Sequence, residues 1–159
     1  LLQTQLGDPA WLHIKAVDKE TNTIAAWASW VTVSETVKVG EEYAKRLDGY
    51  VQQEVDKMLV EWTKGERYMR CKACFVLPEF QGQGMGKALV GCENDIADRK
   101  RLPIFLLASP VGFPLYRKYG FQTLQDLDID LREWVKEDSD HKVYGNYRFR
   151  FMVKLPSVR

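Results

Sequence analysis

The stretch Gln81-Gly82-Gln83-Gly84-Met85-Gly86-Lys87 constrains this chain more than any other. Its three alternating glycines stand between an apolar run closing at Pro78 and a segment whose residues Met85, Ala88, Leu89, Cys92 and Ile96 recur at the helical period. A strand, a glycine loop and a helix opening directly behind it can cradle an anion: successive N–H groups converge, and the helix contributes its positive end. Asp98 to Arg101 close the helix in charge, and Ile104 to Ala108, "IFLLA", follows as a short apolar run between Pro103 and Ser109. Such a run marks a strand covered on both faces, so Arg67 to Ala108 reads as a right-handed βαβ crossover.

The remaining segments add antiparallel structure. Trp11 to Val17 and Ile24 to Val33 are rich in aromatic and β-branched residues, and the polar stretch Asp18 to Thr23 between them predicts a hairpin. From Glu41 to Trp62 the residues Ala44, Leu47, Val51, Val55, Met58, Leu59 and Trp62 keep the helical period, with Gly49 placed to bend or split the helix. A short helix is expected to run to about Tyr119, with Gly120 as a left-handed cap and Phe121 opening the next strand. The tail alternates: Leu127, Ile129 and Leu131 against Asp126, Asp128 and Asp130, then Tyr147, Phe149, Phe151 and Val153 against Arg148 and Arg150. These read as half-buried antiparallel strands, separated by a charged, loop-like segment from Lys136 to Lys142. The expectation is an α/β (α+β) fold: a mixed, mostly antiparallel sheet around a central βαβ crossover, with helices on both faces.

At 159 residues, without repeats or a linker, the chain reads as a single domain over residues 1–159. Its first residue is Leu1, not methionine, which suggests a processed, trimmed or partly represented product. No apolar run approaches the roughly 20 residues of a membrane helix, so no membrane association is expected. Positive and negative side chains nearly cancel, 23 against 22, which gives no reason to expect a nucleic-acid partner; Arg99-Lys100-Arg101 reads as a solvated helix end. Three cysteines, Cys71, Cys74 and Cys92, cannot all pair within the chain, which favours a reducing compartment, with the cytoplasm as default and the nucleus open. Cys71 and Cys74 form a C-x-x-C, yet no second pair follows and neither His13 nor His141 lies at finger spacing, so no metal is expected. On a strand the two thiols would point to opposite faces.

Two nucleotide loops fail against the glycine segment. A Walker loop would need glycine at the position of Gln81 and a hydroxyl at that of Ala88, and a dinucleotide fingerprint begun at Gly82 would need glycine at Lys87. A third pattern fits throughout: Gln/Arg-x-x-Gly-x-Gly/Ala, met by Gln81, Gly84 and Gly86. Downstream, "LASPVGFPLYRKYGF" from Leu107 to Phe121 follows Asn-x-x-Ala-x-x-x-Tyr and a Gly-Phe, with Ser109 at the Asn position, Gly112 at the Ala position, Tyr116 at the Tyr position and Gly120-Phe121 closing it. In both segments the chain resembles the GNAT superfamily, the GCN5-related acyl-CoA N-acetyltransferases. The likeness is specific from about Arg67 to Phe121 and general elsewhere. The strand and helices that usually precede the hairpin in that family are either missing here or replaced by the helix read from Glu41 to Trp62.

What the resemblance implies is direct transfer of an acetyl group from acetyl-CoA, as co-substrate, to a primary amine of a small molecule or peptide. The backbone at Cys74, Phe75 and Val76 would pair with the pantetheine arm, and Gln81, Gly82, Gln83, Gly84, Met85, Gly86 and Lys87 would hold the pyrophosphate. An amide at or beside Val76 would polarise the thioester carbonyl. Ser109 shortens the side-chain contact that asparagine makes in the family, and Tyr116 is the expected hydrogen donor to the departing thiolate. No general base is assigned. Glu79 reads as a solvated turn residue, Arg70 occupies the strand position where some members carry a base glutamate, and His13 reads as structural. Trp27, Trp30 and Trp62 are read as core. The alternative is a non-catalytic acyl-CoA-binding module. Small amines, polyamines, amino acids and peptide N-termini all remain open as acceptors, and the exposed tail strands suggest a homodimer.

Overall fold

The computed structural model describes residues 6–34, 46–134 and 145–157, and its first reversal is set by one carboxylate. Asp18 accepts hydrogen bonds from the Thr21 amide and hydroxyl, both at 2.7 Å, while Asn22 takes a left-handed conformation with φ 56°. Asparagine tolerates that conformation better than most residues, and the chain folds β1 (Trp11–Val17) back along β2 (Ile24–Val33) as an antiparallel hairpin.

Helix α1 (Leu47–Thr63) leads into β3 (Tyr68–Val76), α2 (Met85–Lys100) into β4 (Ile104–Ala108), and α3 (Phe113–Lys118) into β5 (Gln122–Asp130); β6 (Asn146–Lys154) comes last. The strands form one six-stranded sheet in the order β1-β2-β3-β4-β6-β5. Neighbours are antiparallel except β3 and β4, whose parallel pairing across α2 is the expected crossover.

The run IFLLA is continuous because both of its faces are covered. Ile104, Leu106 and Ala108 pack with Leu89 and Val90 of α2, while Phe105 turns to Val55, Met58 and Leu59 of α1. Each of these side chains larger than alanine, fully buried, contributes about 1.5–3 kcal/mol of transfer free energy. Trp30 lies wholly buried on the α2 face, and Phe105 meets Tyr68 edge-on at 5.5 Å and Phe151 at 6.2 Å on the α1 face.

The structure departs from the sequence reading in several places. β2 pairs Trp30 with Cys71 but Ser29 with Ala73, so Lys72 is an extra residue in β3. That bulge breaks the alternation, and Cys71 and Cys74 face the same α2-side core instead of opposite sides. Trp62 is 46% exposed; at the last turn of α1 it is Thr63 that faces the sheet, before Lys64 reverses the chain with φ 49°. α1 runs unbroken through Gly49, which sits in the first turn where few intrahelical bonds depend on it; residues 41–45 of the expected helix lie outside the described residues. Phe121 stays outside the ladder, its N–H bonded to the Tyr116 carbonyl at 3.2 Å, and Leu131 leaves β5 for a 3-10 turn. The segment Lys136 to Lys142 also lies outside the described residues.

Truncating Phe105 to alanine removes the aromatic link between Tyr68 and Phe151 under α1. Chemical denaturation should show a loss of about 3–5 kcal/mol for Phe105→Ala with an unchanged m-value. A loss below about 1 kcal/mol would mean that the α1 face contributes little to folding.

Candidate active site

β3 and β4 pair at Met69 with Ile104 and at Arg70 with Phe105, and there the ladder stops. The bulge at Lys72 bends and twists β3, while β4 stays paired with β6 from Ile104 to Ala108. The strands therefore part, and a cleft of about 400 Å³ opens beside them. Cys74, Phe75 and Val76 form one wall, Gln81, Gly82, Gly84, Met85, Gly86 and Lys87 the floor, and Ser109 and Tyr116 the opposite side.

Leu77 donates its N–H to Ala25 of the preceding β2 side, at 2.9 Å. Antiparallel alternation then turns the amides of Cys74 and Val76 away from β2, toward the space that β4 has left. The glycine loop meets this wall end-on. Gly82 and Gly84 have φ values of 76° and 87°, which an L side chain adopts at a cost, and Gly84 is the N-cap of α2. No side chain caps α2, so the N–H groups of its first turn, at Met85, Gly86 and Lys87, face the cleft without helical acceptors. The two glutamines brace the loop. Gln81 Nε2 donates to the Val76 carbonyl and Gln83 Nε2 to the Glu79 carbonyl, each at 3.1 Å. Gln83, expected among the cofactor contacts, does not line the cleft.

Tyr116 comes from α3, which is fixed at both ends. The Arg150 guanidinium stacks over Phe113 at 4.0 Å, and Asn94 Nδ2 of α2 donates to the Tyr119 carbonyl at 3.2 Å. The Tyr116 ring is 8% exposed and packs edge-on against Phe121 at 5.5 Å. Burial, then the neighbouring thiols of Cys71 and Cys74, push its phenol well above the usual range, so it stays protonated. Gly112 is what makes room: a Cβ there would stand 3.1 Å from the Tyr116 ring. The Ser109 hydroxyl accepts the Gly112 N–H at 3.2 Å and so shapes the start of α3. Phe80, Val111 and Leu115 also line the cleft, though their apolar character gave no signal in the sequence.

A second cleft of about 240 Å³ opens under α1, bordered by Arg70, Cys71 and Lys72 of β3 and by Phe105 to Leu107 of β4. Arg70 does not face it as a base would. Its Nη1 reaches Asp56 at 3.2 Å and its Nη2 donates to Gln52 Oε1 at 3.1 Å, with both charged side chains largely buried. His13 lies in neither cleft; it stacks on Trp11 at 5.7 Å and meets Trp27 at 5.4 Å. Glu79 is exposed, as expected of a turn residue. Among the described residues no group of three potential metal ligands occurs, and no helix is long and apolar enough to cross a membrane.

Behind Tyr116 lies a residue the sequence reading passed over. Glu93 of α2 is 1% exposed, and neither carboxyl oxygen has a closed hydrogen bond among the described residues. Burial pushes its pKa up to about 8, against weaker opposing effects of the nearby Trp30 indole and Lys154. The signal was present: Leu89, Glu93 and Ala97 fall on one helical face, and an acid in that stripe is out of place.

Since the folded pKa lies above the unfolded one, the stabilising effect of the protonated Glu93 is whole below about pH 4.5 and drains away as pH rises to about 8. Glu93→Gln lacks that titration. Denaturation between about pH 5 and about pH 9 should show the variant gaining on the parent as pH rises, by up to a few kcal/mol. A difference independent of pH would show that Glu93 ionises in the folded chain as it does in water.

The family model described as "Acetyltransferase (GNAT) domain" matches residues 29–123. An uncharacterized N-acetyltransferase of Schizosaccharomyces pombe is 35% identical over 63 residues, which span 38% of this chain and 27% of that protein. Among solved structures, arylalkylamine N-acetyltransferase 2 from Aedes aegypti aligns with a TM-score of 0.66 at 16% identity, covering 98% of this chain and 77% of its own. The ribosomal-protein-S18-alanine N-acetyltransferase from Escherichia coli aligns at 0.59 and 15% identity, covering 99% and 77%. At these identities the structural likeness is one of fold.

Proposed function

The chain belongs to the GNAT acetyltransferase family, and from that membership we propose that it transfers an acetyl group from acetyl-CoA directly to a primary amine of a small molecule or peptide. The observation that carries the reading is a single cleft with an uncapped helix N-terminus at one end, outward-facing strand amides along its wall, and a buried phenol on the opposite side. The pyrophosphate of CoA would sit on the amides from Gly82 to Lys87, where both the glycine backbone and the helix end favour negative charge. The pantetheine arm would run along Cys74 to Val76 as an added strand, in the place that β4 vacates.

That placement brings the thioester to the point where the strands part. The Val76 amide is the donor for the carbonyl oxygen as it gains charge, an interaction of about 3 kcal/mol in comparable sites. The acceptor would enter from the α1-side cleft and attack through the gap. Tyr116 keeps its proton throughout the working pH range and offers it as a hydrogen bond to the sulfur as the C–S bond breaks; the proton that the acylated nitrogen releases ends on the departing thiolate, relayed by the Tyr116 hydroxyl or by solvent. Arg70 cannot take a proton from the amine, so the neutral amine arises in solution or within the cleft.

Thiol release from acetyl-CoA with a panel of primary amines tests the reading. Tight acetyl-CoA binding with no turnover on any amine would instead favour a non-catalytic acyl-CoA-binding module. Tyr116→Phe keeps the ring against Phe121 and deletes the hydroxyl. It should lower kcat at least about tenfold while the KM for acetyl-CoA stays within about twofold. An unchanged kcat would remove Tyr116 from the proton transfer.

A further inference from the structure

The α1-side cleft has a chemistry of its own. Its walls are apolar, with Val51, Val55, Leu59, Phe105 and Phe151, yet two cations project from the same face of β3 at Arg70 and Lys72. Arg70 is held in place by Asp56 and Gln52, which occupy two of its five N–H groups. A guanidinium fixed in this way keeps donors for a second anion without the cost of ordering a free side chain. Lys72 has no ion-pair partner among the described residues, and Asp56, whose charge reaches it, is already bonded to Arg70. Asp48 at the cleft mouth is largely exposed and paired with Arg46 at 3.2 Å. With Asp56 offsetting Arg70 and Arg46 offsetting Asp48, the exposed Lys72 leaves one positive charge in excess among the described residues beside the apolar walls.

A simple amine would enter as a cation and be repelled by that charge. An amine that also carries a carboxylate would be attracted by it, and once bound, its ammonium would stand near two cations that favour loss of its proton. We propose that the acceptor is an amino carboxylate, with its carboxylate on Arg70 and Lys72, its apolar portion against Phe105 and Phe151, and its amine directed at the gap between β3 and β4. This rests on the acetyl-transfer reading above. The volume of about 240 Å³ equals about eight water volumes at roughly 30 Å³ each, which suits a single amino acid. It also accounts for a site that holds arginine where a base would be expected: the cations lower the affinity of the amine for its proton, which passes to solvent water in the open cleft.

Matched pairs that differ by the carboxylate test this: phenylalanine with phenethylamine, leucine with isoamylamine. The carboxylated member should have the higher kcat/KM by at least about tenfold, the value of one charge-assisted hydrogen-bonded pair. Lys72→Gln, at an exposed position that should not disturb folding, should collapse most of that ratio by raising KM for the amino acid, with kcat little changed. Arg70→Gln should do the same, but it also leaves Asp56 without its partner, so the Lys72 variant decides. Equal or better turnover of the plain amines, or an undiminished ratio in Lys72→Gln, would overturn the carboxylate assignment while leaving acetyl transfer intact. Turnover of neither series alongside thiol release on other amines would likewise overturn the carboxylate assignment, whereas no release on any amine would overturn the transfer reading itself.

Discussion

Parallel pairing between β3 and β4 lasts for two residue pairs, because an extra residue at Lys72 bends β3 while β6 holds β4 straight. Both clefts depend on that parting. It frees the amides of Cys74 and Val76, and it ends the β3–β4 ladder between the glycine-loop cleft on one side and the Arg70 face on the other. A sheet with a full β3 to β4 ladder would have the same core and neither opening. The bulge also gathers the Cys71 and Cys74 thiols beside Tyr116, which helps hold the phenol neutral.

The surroundings keep this gap from collapsing. Two separate cores, Trp30 with α2 on one face and Phe105 with α1 on the other, fix the flanking strands, and α3 is pinned by Arg150 below and Asn94 beside it. Some of that stability is given up at the site. Glu93 sits without closed hydrogen bonds next to the catalytic tyrosine candidate, and Gly82 and Gly84 hold backbone angles that other residues resist. Local departures from good packing and satisfied polar groups cluster where a ligand would bind, which is where a folded chain can bear them for function.

The glycine loop, the crossover and the two-faced strand IFLLA were legible from the sequence because each follows from a local rule: a left-handed glycine, a helical period, a continuous apolar run. Tyr116 and the loop residues apart from Gln83 line one cleft. What escaped was non-local. Nothing in "YMRCKACFV" shows that Lys72 is surplus to the β2 ladder, since a bulge is defined by the partner strand, and with it went the shared face of the two cysteines. The second cleft was equally hidden, because Gln52 and Asp56 meet Arg70 only once α1 lies across the sheet. Glu93 is a different case: its place in the α2 stripe was readable, but its solitude was not.

The central claim is that CoA occupies the space β4 leaves beside β3, and a crystal structure with CoA bound tests it most directly. The account predicts pyrophosphate oxygens within hydrogen-bond distance of the Gly84 to Lys87 amides, pantetheine hydrogen-bonded to the Cys74 and Val76 backbone, and the thiol beside the Tyr116 hydroxyl. CoA bound with its pyrophosphate away from the α2 N-terminus, or its thiol on the far side of Tyr116 from the gap, would contradict it.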